Sequence, residues 1–314
     1  MANCHHLFGE FQDEISLTLG KRSKMMNSKN TLRDRIRKYF KDNHPGYIPR
    51  FYIQGSYKMG SVIRTKDDIC DLDDGIYFFR EPDVTATTLQ TWVWDAVYGY
   101  TSTDPEHRKK CIRKIFSGDY EIDYPVYYKV DDKEYQLAVK NTGWEDSDPK
   151  AMVNWFNNQK DPGGILVRIV KDLKTWCDYK RNKMPSGLAM TILASNAKAK
   201  IVLNDREDIT LRDILKEIKK ALSIKFECIV PAVPSDDLFE GYDTTRKENF
   251  LNNLDQFIED ADKALQEDNE LKASRLWRKH LGDRFPEGKD KSSSNQAALA
   301  SIISGARTSY PYGA

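Results

Sequence analysis

Apolar residues in the first half of the chain recur at two spacings, one typical of helices and one typical of strands. The helical spacing predicts helices over 22–41 and 85–98. Runs rich in aromatic and β-branched residues predict strands over 51–53, 76–79, 120–130 and 134–140. Asp131-Asp132 separates the last two runs and predicts the turn of a hairpin. The first half therefore combines strands and helices.

The pattern changes near residue 148, after which most segments have a helical period of about 3.6 residues. Asp, Ser or Thr stands near the start of several of these segments, as at helix N-termini. The expected fold class is α+β: a lobe with a mixed sheet and an N-terminal helix over 1–150, packed on a mostly helical lobe over 151–285. Residues 286–314 have the composition of a flexible tail. A cleft between two such lobes is a common place for a small-molecule site.

Charge and cysteine content exclude several classes of function. The chain has 49 Lys and Arg against 48 Asp and Glu, so no net field attracts nucleic acid or an anionic membrane. We expect no membrane span, because no apolar run approaches about 18 residues, and no signal peptide, because the N-terminus lacks the features of one. The 5 cysteines are scattered without a C-x-x-C motif, which suits a reducing compartment. The expected location is the cytoplasm.

Three aspartates carry the candidate chemistry. Asp71 and Asp73 are separated by one residue, so an extended strand projects both from one face. Carboxylates this close repel each other, and a divalent cation that prefers oxygen ligands offsets the repulsion. Asp123 interrupts an apolar and aromatic strand, which is costly unless the charge is paired or bound to metal. If the two strands are neighbours, the three aspartates form a cradle for two Mg²⁺ ions, the arrangement of two-metal phosphoryl transfer.

A Gly-Ser pair directly after the first predicted strand adds a phosphate-binding feature. Gly55 has no Cβ, so backbone N–H groups and the Ser56 hydroxyl can approach the phosphates of a triphosphate. Each piece alone is weak, since Gly-Ser pairs and D-x-D sequences occur in many chains. The combined order is strand, Gly-Ser, D-x-D-D-G, strand and a later aspartate with apolar neighbours. This combination strongly indicates nucleotidyl transfer.

The segments QGS (54–56), DLDDGIY (71–77) and EIDYPVYYK (121–129) resemble the active-site core of the cGAS/DncV-like nucleotidyltransferases, or CD-NTases. These are bacterial relatives of cyclic GMP-AMP synthase within the polymerase-β-like superfamily. The resemblance implies catalytic and metal-binding roles for Asp71, Asp73 and Asp123. It implies triphosphate contacts for Gln54, Gly55, Ser56, Lys174 and Ser186. Lys171, one helical turn before Lys174, is a rival for the lysine position.

Members of this family join nucleoside triphosphates into cyclic di- or trinucleotides and release pyrophosphate. The resemblance implies the same reaction here, with two Mg²⁺ ions, or Mn²⁺ in their place, and with ATP or GTP as substrates. It also implies a role in CBASS anti-phage defence, where the product activates an effector protein. The small residues that end the chain at Ala314 suit conjugation to a target by a ubiquitin-transfer-like enzyme. We expect no membrane partner and no obligatory nucleic acid.

Three other functions stay open at this stage. A linear nucleotidyltransferase would act on RNA or protein, although the composition offers no long basic groove for RNA. A degenerate nucleotidyltransferase would bind nucleotide without turnover, yet all three aspartates are present. A calcium-binding structural loop needs closely spaced oxygen ligands, and the acidic run at 67–74 lacks the loop glycine and closing glutamate of an EF-hand. The cyclic-oligonucleotide synthase is the leading hypothesis.

Overall fold

The structure, a computed structural model, describes residues 2–290. The first part of the chain forms α1 (His5–Ile15), α2 (Leu19–Asn43), β1 (Arg50–Gln54), α3 (Gly55–Met59), β2 (Cys70–Phe78), α4 (Ala86–Val97), β3 (Glu106–His107), β4 (Ile112–Phe116), β5 (Tyr120–Tyr124), β6 (Val126–Tyr128), β7 (Gln136–Val139) and β8 (Gly143–Asp146). The second part forms α5 (Pro149–Gln159), α6 (Ile165–Lys180), α7 (Gly187–Lys198), α8 (Glu207–Ile224), α9 (Thr244–Gln266) and α10 (Glu270–Leu281). Most of the predicted tail, including Ala314, lies outside the described residues.

Strand β2 lies at the centre of a mixed sheet formed by the 8 strands of the described chain. β1 pairs with β2 in antiparallel orientation, whereas β5 and β6 pair with successive parts of it in parallel. The register is continuous across Pro125, because Asp73 is opposite Asp123 and Ile76 is opposite Val126. β4 pairs with β5, and β7 pairs with β6. Segments that are distant in sequence therefore meet at β2.

The side chains of β2 alternate between the two faces of the sheet. Leu72, Ile76 and Phe78 are buried in a hydrophobic core that α2 and α4 complete. From α2 this core receives Met25, Leu32, Ile36 and Phe40. Asp71 and Asp73 point to the opposite face, where they line a cleft with residues of α6 and α7. Successive residues of β2 thus lie alternately in the hydrophobic core and on the polar face of the sheet.

Asp74 is the charged residue that β2 places on the core face. Its side chain is fully buried and pairs with Arg33 of α2. The Nε atom of Arg33 donates to Oδ2 at 2.8 Å, and its Nη2 atom donates to Oδ1. This pair compensates for the cost of burying the Asp74 carboxylate, and it links α2 to β2.

A second hydrophobic core lies in the helical part, around Trp176 and Trp277. α1 packs into this second core through Leu7, Phe8 and Phe11, although it precedes the sheet in sequence. The rings of Phe8 and Trp277 meet edge to face with centroids 5.1 Å apart. α1, which the sequence patterns do not predict, therefore packs with the helices of the second part. The division at residue 150 itself stays a prediction.

Most of the predicted elements agree with the observed ones. The helices predicted over 22–41 and 85–98 are α2 and α4, and the predicted hairpin is formed by β6 and β7. The strand predicted over 120–130 is interrupted at Pro125, because proline has no N–H to donate to the sheet. α1, β3, β4 and β8 have no counterpart in the prediction. Among residues 2–290, no helix combines the length and the apolar character that crossing a membrane requires.

Candidate active site

The three predicted aspartates lie side by side on the polar face of the sheet. Asp73 of β2 is directly opposite Asp123 of β5, and Asp71 precedes it on the same face of β2. Neighbouring strands are about 4.8 Å apart, so these side chains are close. The row continues on both sides, with Gln54 of β1 opposite Asp73 and Arg113 of β4 opposite Asp123. The structure therefore brings the three aspartates together, as their spacing predicts.

The Gly-Ser pair follows β1 and lies against Asp73. Gly55 has a φ of +58°, and a Cβ at this position would be 2.0 Å from Oδ2 of Asp73. Only glycine combines this backbone conformation with room for the carboxylate. Ser56 lines the cleft, and its buried Oγ has no hydrogen-bond partner among the described residues. Because a buried hydroxyl without a partner is unfavourable, this group is suited to bind a ligand.

Lys174 of α6 reaches the same cleft. Its Nζ donates to the carbonyl oxygen and to the hydroxyl of Ser61, both at 3.0 Å. Gly187 of α7 leaves room for the lysine, since a Cβ there would be 3.2 Å from its Cε. Lys171 instead donates to Oγ of Ser16 at 3.0 Å and lines a separate, smaller cavity. Lys174 is therefore the lysine that the structure places in the cleft.

Burial and mutual repulsion set the protonation of this cluster. Burial, followed by the negative charges of Asp71 and Asp123, raises the pKa of Asp73 to about 8. Burial also raises the pKa of Asp71, and the Lys174 ammonium opposes this effect. Burial lowers the pKa of Lys174 to about 8, although both aspartates of β2 favour its charged form. A cation bound between the aspartates would stabilise both in the ionised state.

The cleft that contains these groups has a volume of about 590 Å³. Its wall includes residues that the sequence patterns did not indicate: Asp178, Arg181, Met184, Pro185, Leu188 and Thr191. Arg181 adds a second cation, and its guanidinium is paired with Asp67 and Asp178. A signal for Arg181 was available, because it follows Lys174 by two helical turns, a spacing that places both side chains on one face.

Asp123 is paired with an arginine in this structure, and the cradle of three aspartates for metal stays a prediction. The Nε and Nη2 atoms of Arg113 donate to Oδ1 and Oδ2 of Asp123, both at 2.7 Å. The Nη1 atom of Arg113 donates to Glu121. Over residues 2–290, no set of three Asp, Glu, His or Cys side chains is grouped to hold a metal ion. In this structure the predicted metal ligand Asp123 is instead a member of an ion pair.

Two further predicted contacts are occupied within the protein. Gln54 does not line the cleft: its Nε2 donates to the hydroxyl of Tyr127 at 3.0 Å, and its Oε1 accepts from that of Tyr77 at 2.7 Å. Its side chain therefore links β1 to Tyr77 and Tyr127, and its predicted contact with triphosphate stays a prediction. Ser186 caps α7, since its Oγ accepts from the N–H of Ala189 at 3.2 Å. The residues on either side of Ser186 line the cleft, but Ser186 does not.

The residues at the edge of the cleft fit a divalent cation. Asp71 and Asp73 supply carboxylate oxygens, the ligands that Mg²⁺ and Mn²⁺ prefer. Burial and the negative charges of Asp71 and Asp123 raise the pKa of Asp73, and a bound cation would offset this repulsion. The unpartnered Ser56 hydroxyl lies in the same cleft. The donor set therefore suits a metal ion that is shared with the phosphates of a ligand.

A strand-centred carboxylate pair beside a Gly-Ser turn, under a helical lobe, is the arrangement of the polymerase-β-like nucleotidyltransferase fold. Residues 49–127 match the family described as cyclic GMP-AMP synthase DncV-like, nucleotidyltransferase domain. The fold matches the crystal structure of Vibrio cholerae DncV cyclic AMP-GMP synthase with a TM-score of 0.80 at 19% identity, over 91% of this chain and 98% of that one. Residues 49–127 are thus similar to the nucleotidyltransferase domain of the DncV-like family, and the α+β fold class of the chain is the predicted one.

Two relatives extend the comparison beyond the nucleotidyltransferase domain. A cyclic GMP-AMP synthase of Escherichia albertii is 29% identical over 221 residues, which are 65% of this chain and 49% of that protein. A cyclic AMP-AMP-AMP synthase of an Acinetobacter species is 24% identical over 299 residues, which are 87% of this chain and 83% of that protein. The chain thus spans about half the length of the first relative and most of the second.

Proposed function

We propose that this protein joins nucleoside triphosphates into a cyclic di- or trinucleotide and releases pyrophosphate. The observation that supports the proposal most is the meeting of Asp71, Asp73, Ser56 and Lys174 in one cleft. A carboxylate pair for metal, a free hydroxyl and a buried cation are the groups that binding and activating a triphosphate requires. The relatives named above make cyclic products with two or three nucleotides, which supports cyclisation here.

In the proposed reaction, a ribose hydroxyl attacks the α-phosphorus of a nucleoside triphosphate, and the bond to the β-phosphate breaks. Mg²⁺ ions held by Asp71 and Asp73 would neutralise the triphosphate and lower the pKa of the attacking hydroxyl. Lys174 would bind the phosphates through its ammonium group, and Ser56 would donate its hydroxyl to them. Gly55 keeps the backbone close to the carboxylate of Asp73. Catalysis then consists mainly of positioning and charge neutralisation.

Closing the ring repeats the same bond formation. The free hydroxyl of the linear product attacks the α-phosphorus of its remaining triphosphate, and a second pyrophosphate leaves. The same carboxylate pair serves both steps, so loss of Asp71 or Asp73 should prevent the linear and the cyclic product alike. A variant that accumulated only linear product would instead have lost the geometry of closure.

Incubation of the purified protein with Mg²⁺ and the four ribonucleoside triphosphates tests the proposal. Phosphatase treatment followed by mass spectrometry identifies products that have no free phosphate ends. We expect a phosphatase-resistant cyclic product from the wild type and none from Asp71→Asn or Asp73→Asn. Asp68→Asn is the matched control, because Asp68 lies in the preceding loop and pairs with Lys21 and Arg64. Product from the Asp73→Asn variant, or only linear product from the wild type, would contradict the proposal.

We further propose that the product acts as a second messenger in anti-phage defence of the CBASS type. The support is the match of residues 49–127 to the DncV-like family and the cyclic synthases among the relatives. The test is a count of phage plaques on cells that carry the natural operon, with wild-type protein or with Asp71→Asn. Equal plaque counts would reject the role in defence and leave the proposed chemistry intact. The effector and the conjugation through Ala314 belong to the same proposal, and C-terminal extension would block such conjugation.

A further inference from the structure

We propose that Arg113 is a positioning residue that competes with a bound metal ion for Asp123. In the metal-free site it holds Asp123, and in the metal-loaded site it releases Asp123 to the metal and keeps Glu121. This inference rests on the proposed metal-dependent function and deepens it, because it assigns two alternative partners to one aspartate. It also explains why Asp123 lies in the right row of the sheet but outside the carboxylate pair of β2.

The pairing of Arg113 with Asp123 is a strong and specific contact. Two parallel N–H groups of the guanidinium meet the two carboxylate oxygens, each at 2.7 Å. Only 16% of the Arg113 side chain and 12% of the Asp123 side chain are exposed. Charge-assisted bidentate bonds of this kind are roughly twice as strong as neutral hydrogen bonds. Each oxygen keeps a further lone-pair site, but the pairing fixes the orientation of the Asp123 carboxylate and already offsets its charge, so Asp123 is a weaker metal ligand while Arg113 holds it.

Glu121 makes the exchange feasible. It lies two residues before Asp123 on the same face of β5, and it accepts a hydrogen bond from Nη1 of Arg113. A buried guanidinium that lost its last acidic partner would carry a large penalty. Arg113 avoids this penalty because the bond to Glu121 persists when Asp123 leaves. If Arg113 only linked β4 to β5, its pair with Asp123 would be sufficient, and a second acidic acceptor would not be needed.

Arg113 also stabilises the site before metal binds. Asp71, Asp73 and Asp123 lie in adjacent positions of two paired strands, and each pair of carboxylates repels. The guanidinium offsets part of this charge from the far side of Asp123. Metal binding supplies a larger positive charge, so the arginine is no longer required there. Arg113 and the metal thus compete for the same carboxylate.

Mn²⁺ binding to the nucleotide-free protein tests this competition without measuring activity. The probe is Mn²⁺ alone, and electron paramagnetic resonance follows the loss of the free-ion signal. Arg113→Lys keeps the charge but loses the two-pronged contact, so Asp123 is released more easily. We expect Arg113→Lys to tighten Mn²⁺ binding by about fivefold or more. Arg113→Gln is the second variant, with the same expected direction, and circular dichroism verifies that each variant is folded.

The chain offers a matched control on the other face of the same strand. Arg33 makes the same two-pronged contact with Asp74, the residue next to Asp73. Arg33→Lys changes the same chemistry on the face away from the cleft, and we expect its Mn²⁺ affinity to equal that of the wild type. Equal tightening in Arg33→Lys and Arg113→Lys would show a general loosening of the sheet and would overturn the proposal.

Glu121→Gln gives a second and independent test. Without Glu121, Arg113 keeps Asp123 as its acidic partner, so Mn²⁺ binding should weaken in the wild-type background. The same change should have a smaller effect in the Arg113→Lys background, because there the competition is already reduced. An equal effect in both backgrounds, or unchanged affinity in folded Arg113→Lys and Arg113→Gln, would overturn the exchange.

Failure of this inference is distinguishable from failure of the proposed function. If cyclic product forms and requires Asp71, but Arg113→Lys leaves Mn²⁺ affinity unchanged, only the partner exchange is rejected. If Asp71→Asn and Asp73→Asn bind Mn²⁺ as tightly as the wild type and no product forms, the metal site and the proposed function are rejected together.

Discussion

A Cβ atom at Gly55 would lie 2.0 Å from Oδ2 of Asp73. The glycine of the Gly-Ser pair and the second aspartate of the D-x-D sequence are thus complementary in shape. β1 and β2 pair with Gln54 opposite Asp73, so the turn that follows β1 passes directly over the carboxylate. The two motifs, which are separate in sequence, form one structural unit.

The first prediction concerns Gly55→Ala. The added methyl group forces the Asp73 carboxylate to move, and the positive φ is unfavourable for alanine. We expect turnover to fall by about 100-fold, because a displacement of about 1 Å at a catalytic group has effects of this size. The free energy of unfolding should fall by roughly 1–2 kcal/mol. Steady-state kinetics and urea unfolding measure the two effects.

Gly60→Ala is the control for this prediction. Gly60 has a φ of +72°, but the atom nearest to a Cβ at this position would be Nζ of Lys160, at 4.0 Å. The variant therefore has similar backbone strain without the contact to Asp73. We expect it to lose similar stability and to keep most of its turnover. An equal loss of turnover in Gly60→Ala would mean that strain of the turn, and not the position of Asp73, explains the Gly55→Ala result.

Local sequence patterns could predict the face on which Asp71 and Asp73 lie, because side-chain direction along a strand alternates with every residue. They could not predict the partner of Asp123. Arg113 is opposite Asp123 only because β4 and β5 pair in one register, and that register depends on packing over the whole sheet. The same limit explains α1, whose apolar residues meet a core formed by helices far along the chain.

Gln54 illustrates how a motif residue can have a structural role. Its amide links the hydroxyl groups of Tyr77 and Tyr127, whose rings stack with centroids 4.6 Å apart. Gly75 leaves room for it, since a Cβ there would be 2.6 Å from Oε1 of Gln54. The sequence shows that Gln54 precedes the Gly-Ser pair, but it does not show which way the side chain points.

The second prediction follows from this arrangement. Gln54→Met should leave the hydroxyls of Tyr77 and Tyr127 without their amide partner, and unfolding should become easier by about 1–3 kcal/mol. The dissociation constant for a nonhydrolysable nucleoside triphosphate should stay within about twofold of the wild type, because Gln54 does not line the cleft. Thermal unfolding and equilibrium binding test the two parts. A large loss of affinity in a folded, stable variant would contradict this prediction and would indicate that Gln54 contacts the triphosphate.

The third prediction concerns stability at acid pH. His280 is buried against Phe257 and donates to Asp260 at 2.9 Å, and burial lowers its pKa to about 4. Unfolding lets His280 take up a proton more readily, so its contribution is complete above pH 6.5 and is lost as the pH falls toward 4. The stability difference between wild type and His280→Gln should shrink by up to roughly 3 kcal/mol over this range. A constant difference between pH 7 and 4 would contradict the prediction.

The fourth prediction concerns Lys174 and alkaline pH. Burial lowers its pKa to about 8, so the free protein loses this positive charge as the pH rises through that value. If the ammonium binds the triphosphate, wild-type affinity exceeds that of Lys174→Met at pH 7, and this advantage falls by about tenfold by pH 9. Asp73 titrates in the same range, and loss of the Lys174 ammonium raises its pKa further, so the same ratio is also measured with Asp73→Asn in both proteins. Lys171→Met should keep the fall in affinity toward alkaline pH, although the fall should begin at a higher pH, because Lys171 donates to Ser16 outside the cleft and its charge lowers the pKa of Lys174. If the ratio of the two dissociation constants stays constant from pH 7 to 9, the ammonium group of Lys174 does not bind the triphosphate.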